Sequence, residues 1–180
     1  MGAMGSVASW MFGFSHQNVL LDDLIIFVAQ YFPYMLGAGA LFLIFREFGW
    51  RRRLLFLSEL LLALIISRGL VTEFIQFFYH QTRPFEVLGF TPLIGEAGSS
   101  FPSGHAAFFF ALATTIIFWN RSWGVWYFFF AFLNGLARVF AGVHWPLDIV
   151  GGAAVGIAGA LFIHWLVTPY AEKLKTQPSP

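Results

Sequence analysis

The chain has 180 residues, 10 Lys and Arg against 9 Asp and Glu, and a formal net charge of +1. Hydrophobic residues make up 58%, aromatics 20% and charged residues 11%, whereas a soluble domain carries about 25% charged residues. So few charges cannot cover a 20.3 kDa surface, and the chain reads as an integral membrane protein of one domain. The small net charge, without a basic run, excludes nucleic acid as a partner. The lack of cysteine excludes disulfides, thiolate chemistry and Cys-ligated metals.

Met1–Ser6 reads as a cloning scar, and the first apolar stretch lacks the basic flank of a signal peptide. A membrane core of ~30 Å takes about 20 helical residues to cross. Leu24 to Phe45 is long enough but carries Pro33 at its middle. It is either one kinked span or a surface helix to Phe32 followed by a short span. Further spans run from Leu54 to Tyr79, Ala106 to Trp119, Trp123 to Phe140 and Leu147 to Val167. Gly151, Gly152, Gly156 and Gly159 in the last are the small residues that let membrane helices approach closely. The expected fold is all-α: a polytopic bundle of five transmembrane helices, with a short or interfacial N-terminal helix as a possible sixth. The membrane domain covers residues 7–170, and residues 171–180 form a cytoplasmic tail.

Arg46, Arg51, Arg52 and Arg53 lie between the first two spans, Arg121 between the third and fourth, and Lys173 and Lys175 after the fifth. The positive-inside rule makes that face cytoplasmic. The segments His80–Phe101 and Ala141–Pro146 then lie outside, on a multi-pass protein of the cell (plasma or inner) membrane.

The outer face receives Arg83 after the second span, Ser103, Gly104 and His105 at the opening of the third, Arg138 at the end of the fourth, and His144 and Asp148 at the opening of the fifth. Charged groups near a membrane edge are costly and mark functional sites. Two guanidiniums suit phosphoryl oxygens. A Ser-Gly helix start offers a hydroxyl, backbone N–H groups and the positive dipole end. One imidazole can attack phosphorus while the other protonates the leaving oxygen. Asp148, four residues after His144, can hold the ring tautomer that leaves the attacking nitrogen free. No carboxylate cluster suited to Mg²⁺ accompanies the set, so a reaction without metal or other cofactor is expected.

These residues resemble the type 2 phosphatidic acid phosphatase superfamily, whose signature is Lys-x6-Arg-Pro, Pro-Ser-Gly-His and Ser-Arg-x5-His-x3-Asp. The second part is intact as Pro102-Ser103-Gly104-His105. The third reads Ala137-Arg138-x5-His144-x3-Asp148, and the first Gln76-x6-Arg83-Pro84, with Gln in place of Lys. The resemblance implies that His144 is the nucleophile forming a phosphohistidine, with Asp148 its partner and His105 the leaving-group acid. It also implies that Arg83, Arg138, Ser103 and Gly104 bind phosphate, with Gln76 at the position of the missing lysine. Arg68 lies eight residues from Gln76, ~12 Å along a helix. It either supplies the missing cation or pairs with Glu73 or snorkels. Glu59 is expected to be structural and His164 interfacial, while His80, Glu86 and Glu96 lie on the outer loop, where they either shape the site or are solvated.

His105 is expected at or below the outer headgroup level, which favours a phosphate carried by a membrane lipid. The compact chain, Tyr79-His80-x-x-Arg83-Pro84-Phe85 and Ser100-Phe101-Pro102-Ser103 look like bacterial undecaprenyl-diphosphatases of that superfamily. The expected function is hydrolysis of undecaprenyl diphosphate to the monophosphate in cell-wall lipid recycling. A phospholipid phosphatase acting on phosphatidylglycerol phosphate or phosphatidate is the alternative. A non-enzymatic lipid-binding or transport role ranks lower, and the signature's likeness to soluble vanadium haloperoxidases conflicts with five hydrophobic spans. The partners expected are the lipid substrate and the bilayer, with no protein partner inferable.

Overall fold

The computed structural model describes Trp10, residues 12–46 and residues 49–176, with side chains through residue 170. The Met1–Ser6 scar, the side chains of Lys173 and Lys175 and the tail end from residue 177 lie outside the described residues. From Val19 onward the described residues form, in order, α1 (Val19–Arg46), α2 (Trp50–Phe78), the short α3 (Pro84–Leu88), α4 (Gly104–Trp119), α5 (Arg121–Phe140) and α6 (Pro146–Thr176). There is no strand among the described residues. By length and composition α1, α2, α5 and α6 can cross a membrane, and α4 is a shorter apolar helix of 16 residues.

Helix α4 is the centre of the bundle. Its buried residues include Ala106, Ala107, Phe109, Ala111, Leu112, Ala113 and Ile116, the all-round apolar character of an enclosed helix. Helices α2, α5 and α6 pack around it. Large apolar side chains such as Phe42, Phe77 and Trp165 cover the outside, where a bilayer would take the place of water.

The residues around Pro33 form one continuous helix, so the stretch before Pro33 is the first half of α1 rather than a separate element. Proline has no N–H to give the carbonyl four residues back, which strands Ala29. A π-helical turn at Phe27–Tyr31 perturbs the same region. Helix α5 supplies the missing donors. Asn134 Nδ2 donates to the carbonyls of Val28 at 2.8 Å and Ala29 at 3.3 Å, and Arg138 Nη1 donates to Ala29 at 3.4 Å. In a membrane these carbonyls have no water to turn to. Tyr127 adds a bond from its hydroxyl to the Leu36 carbonyl at 2.9 Å.

The α6 glycines are packing residues, as expected. A Cβ at Gly152 would lie 2.7 Å from Ala106 Cβ and 3.1 Å from Ala107 N, and one at Gly156 would lie 2.9 Å from Ala111 N. A Cβ at Gly159 would strike the Ser67 hydroxyl of α2. The backbones of α4 and α6 therefore touch, and this contact places the start of α4 against the start of α6.

The arginine-bearing end holds a second polar group. Buried Glu59 accepts from Trp119 Nε1 at 2.8 Å and faces His164 Nδ1 at 2.6 Å, and His164 stacks on Phe118 at 3.6 Å. Arg53 donates to the Phe45 carbonyl at 2.9 Å, and Arg52 lies over Trp119. Glu59 is structural, and His164 belongs to the same network.

Gly156→Leu should separate α4 from α6, because overpacking of this kind costs about 1–3 kcal/mol or more. Thermal unfolding in detergent should show a clear fall in Tm, while Gly37→Ala, where a Cβ meets nothing within 4 Å, should leave it nearly unchanged. Equal Tm values for the two variants would contradict the backbone contact.

Candidate active site

The last two signature segments meet through Asp148. His144 is buried in the turn before α6, and Asp148 lies in the first turn of that helix. His144 thus precedes the helix instead of sharing a face with Asp148, yet its Nδ1 is 3.3 Å from Asp148 Oδ2. The same oxygen accepts from the Trp145 backbone N–H at 2.7 Å and from the Ser100 hydroxyl. An ionised carboxylate only accepts, so the hydrogen lies on Nδ1 and the Nε2 lone pair is free. Burial pushes the His144 imidazole below its ordinary value; the bond to Asp148 opposes this and Arg138 adds to it. Burial thus favours the neutral ring, the form that nucleophilic attack would need.

The start of α4 has the form of an anion cradle. Ser103 is its N-cap, fully buried, and its Oγ accepts from Ala106 N at 3.4 Å. Its own N–H donates to the Asp148 carbonyl at 2.9 Å, tying the cradle to the nucleophile's helix. The N–H groups of Gly104 and His105 have no helical acceptor, and the hydroxyl hydrogen of Ser103 is free to donate. These donors and the positive helix end suit an anion. Gln76 Nε2 donates to the Pro102 carbonyl at 2.9 Å, so the residue at the lysine position braces the cradle from behind. His105 is half-buried and makes no hydrogen bond among the described residues. Arg138, Glu96, His144 and Arg68 all lie within its electrostatic reach.

The two arginines have different duties. Arg138 is buried, gives Nη1 to Ala29, pairs through Nη2 with Glu96 and has a buried Nε without a partner. That N–H is open to a phosphoryl oxygen. Arg83, also buried, donates Nε to Gly98 O at 3.1 Å, Nη1 to Val143 O at 2.9 Å, and Nη2 to Ala97 O at 2.9 Å and Ser99 O at 3.2 Å. Four backbone carbonyls occupy four of its five N–H bonds. The expected phosphate ligand is therefore first a clamp between the outer loop and the turn that carries His144, with one N–H left for an anion. Burial lowers the Arg83 pKa, and Glu96, Asp148 and Glu86 oppose the shift.

Three further residues enter the site. Ser100 orients Asp148, a role that only its position two residues before Pro102 hinted at. Glu96, expected in the loop, sets its carboxylate against Arg138, with Oε1 3.8 Å from Arg83 Nη2. Burial acts to raise Glu96, but Arg138, His105 and Arg83 hold it below the usual carboxylate value. Arg68 pairs with Glu73 and also lies along the cradle, where a Cβ on Gly104 would be 2.9 Å from its Cζ. The pairing with Glu73 is thus present, and the guanidinium also reaches the start of α4, because its long side chain spans the offset that its position in the helix imposes. Glu86 accepts from the Arg83 N–H at 3.2 Å and caps α3. Among the described residues no three His, Asp or Glu side chains converge to hold a metal ion.

Arg83→Lys should disable the clamp, since an ammonium cannot reach four carbonyls and each buried carbonyl left unpaired costs about 1–3 kcal/mol. Tm and kcat should fall together. A rise in KM with Tm unchanged would instead show that Arg83 acts only on the phosphate.

Residues 56–171 match the PAP2 superfamily. Undecaprenyl-diphosphatase BcrC of Bacillus subtilis (strain 168) is 31% identical over 166 residues, covering 89% of this chain and 83% of that one. The bacitracin transport permease protein BcrC of Bacillus licheniformis is 29% identical over 148 residues, covering 81% and 71%. The crystal structure of Aquifex aeolicus LpxE has a TM-score of 0.72 at 27% identity and covers 88% of this chain and 92% of that one. With a buried histidine, an aspartate bonded to it and a helix start bearing unbonded N–H groups gathered at one end of a membrane bundle, the chain belongs to the PAP2 superfamily and is a membrane lipid phosphatase.

Proposed function

We propose that the protein hydrolyses an isoprenoid diphosphate, undecaprenyl diphosphate foremost, to the monophosphate on the extracytoplasmic face. The observation that carries the lipid reading is a cleft of about 550 Å³ between α1, α2 and α4. Tyr34, Leu41, Phe108 and Phe109 line its apolar length, and Arg68, Gly104 and His105 stand at its polar end. A ligand with a long apolar chain and a phosphate head fits that polarity. Helix α4, at 16 residues, is ~24 Å long against a ~30 Å core. With its Trp119 end at the cytoplasmic boundary, His105 lies below the outer headgroup level, where a lipid phosphate arrives from the side. Arg46, Arg51, Arg52, Arg53 and Arg121 at the opposite end support the orientation.

The reaction runs in two steps. His144 Nε2 attacks the terminal phosphorus, and the bond from that phosphorus to the bridging oxygen breaks. Arg138, Ser103 and the helix start hold the equatorial oxygens, and Asp148 stabilises the ring as it gains positive charge. His105 gives a proton to the leaving lipid monophosphate. It then takes one from water, whose oxygen attacks the phosphohistidine; inorganic phosphate leaves and His144 is restored. All the charge stabilisation comes from side chains and backbone, so no metal is required.

Phosphate release by the purified chain in detergent with EDTA should be fastest, by kcat/KM, with undecaprenyl diphosphate. A higher value for phosphatidylglycerol phosphate or phosphatidate would overturn the isoprenoid reading, and activity lost to EDTA but restored by a divalent ion would overturn the metal-free one. His144→Ala should abolish turnover. Asp148→Asn should reduce it on the order of 10²–10⁴-fold, because the attacking atom stays in place.

Sidedness has its own measurement. A cysteine at exposed Gly95, where a side chain meets nothing within 4 Å, should react with an impermeant thiol reagent in whole cells. One at exposed Trp50 should not; reversed labelling would place the site in the cytoplasm.

A further inference from the structure

We propose that Glu96 is a specificity-determining carboxylate that holds the anion position beside Arg138 and Arg83 in the free enzyme, so that a diphosphate displaces it and a monophosphate does so poorly. The inference rests on the diphosphate reading above and adds to it a reason why hydrolysis stops after one phosphate.

The geometry is that of an internal anion at the phosphate site. Glu96 Oε2 contacts Arg138 Nη2, and Oε1 lies 3.8 Å from Arg83 Nη2. Arg138 has one further buried N–H without a partner. The phosphoryl group therefore meets guanidiniums that already have a counter-ion, and a dianion cannot approach them without meeting the carboxylate as well. Like charges drawn together in such a poorly solvated place repel strongly. Glu96 can leave, since its side chain is 26% exposed and its neighbours Gly95 and Ala97 are exposed. No backbone movement is needed, because Arg83 keeps the Ala97, Gly98 and Ser99 carbonyls in place.

What decides the exchange is the charge and reach of the arriving head group. A phosphate monoester carries about −1.5 to −2 near pH 7. A diphosphate carries a further phosphoryl group, and Arg68 lies along Gly104 to meet it. The diphosphate can be held at that second group while its terminal phosphoryl competes with Glu96 for Arg138. A monophosphate has only one group for both tasks. After the first hydrolysis the product has lost its second hold, and the returning carboxylate displaces it.

The test uses the full chain in detergent with undecaprenyl diphosphate and undecaprenyl monophosphate as substrates. Wild type should release one equivalent of phosphate. Glu96→Gln, which keeps the shape and removes the charge, should narrow the diphosphate-to-monophosphate ratio of kcat/KM at least tenfold, mainly through a lower monophosphate KM. The Ki for orthovanadate should fall as well. If wild type discriminates and Glu96→Gln keeps the same ratio, Glu96 is only a structural counter-ion and the proposal fails alone. If wild type turns over both lipids equally, the diphosphate reading itself fails and this proposal with it. Wild type supplies an arm that does not depend on the variant folding: inorganic phosphate should inhibit at least tenfold more weakly than inorganic pyrophosphate, and equal inhibition would overturn the proposal.

Discussion

A single buried guanidinium holds the loop-bearing end of this bundle together. Arg83 donates to Ala97, Gly98 and Ser99 on one side and to Val143 on the other, joining segments that are remote in sequence. Backbone carbonyls crowded into a place with little water need donors, and one arginine provides four in a rigid plane. Once these loops are pinned, Ser100 reaches Asp148, and Asp148 reaches both His144 and the Ser103 N–H. His144 and the start of α4 are thus registered through backbone bonds as well as side chains.

The second arginine shows how a helix defect becomes part of a site. Pro33 removes one N–H from α1, and the carbonyl of Ala29 it leaves behind is taken up by Asn134 and Arg138. Arg138 is thereby anchored at one nitrogen while the others face Glu96 and the cradle. A proline in a membrane helix is tolerable only where a neighbour supplies the missing donor, and here that donor keeps one buried N–H without a partner. The two buried arginines and Glu96 form one electrostatic unit whose charge balance changes when an anion enters.

The PAP2 signature places a lysine where this chain has Gln76, and its amide bonds the Pro102 carbonyl. It supports the cradle without bringing charge to it. Arg68, two turns away, brings a cation to the other side of that helix start, along Gly104, and Glu73 balances it. The cation at the mouth thus lies on the side of the lipid cleft instead of behind the phosphate. That location suits a head group with a second charged group on its lipid side.

Much of this protein could be read from its amino-acid sequence. Eleven per cent charged residues and a few long apolar runs settle a membrane bundle, because the cost of exposing backbone and charge to lipid leaves few alternatives. The spacing of Arg83, Pro102-Ser103-Gly104-His105, Arg138, His144 and Asp148 marked out a set of the chemical types that phosphoryl transfer needs, and the fold brings that set to one end. Continuity of α1 through Pro33 could not be read, because it depends on Asn134 and Arg138, more than a hundred residues away, donating to a freed carbonyl. The clamp at Arg83, the Ser100 bond to Asp148 and the place of Glu96 between two arginines were equally out of reach. Each depends on how an irregular loop folds back over the helix ends. Local periodicity governs helices, but the path of such a loop is set by which distant donors find its carbonyls, and only the tertiary structure decides that.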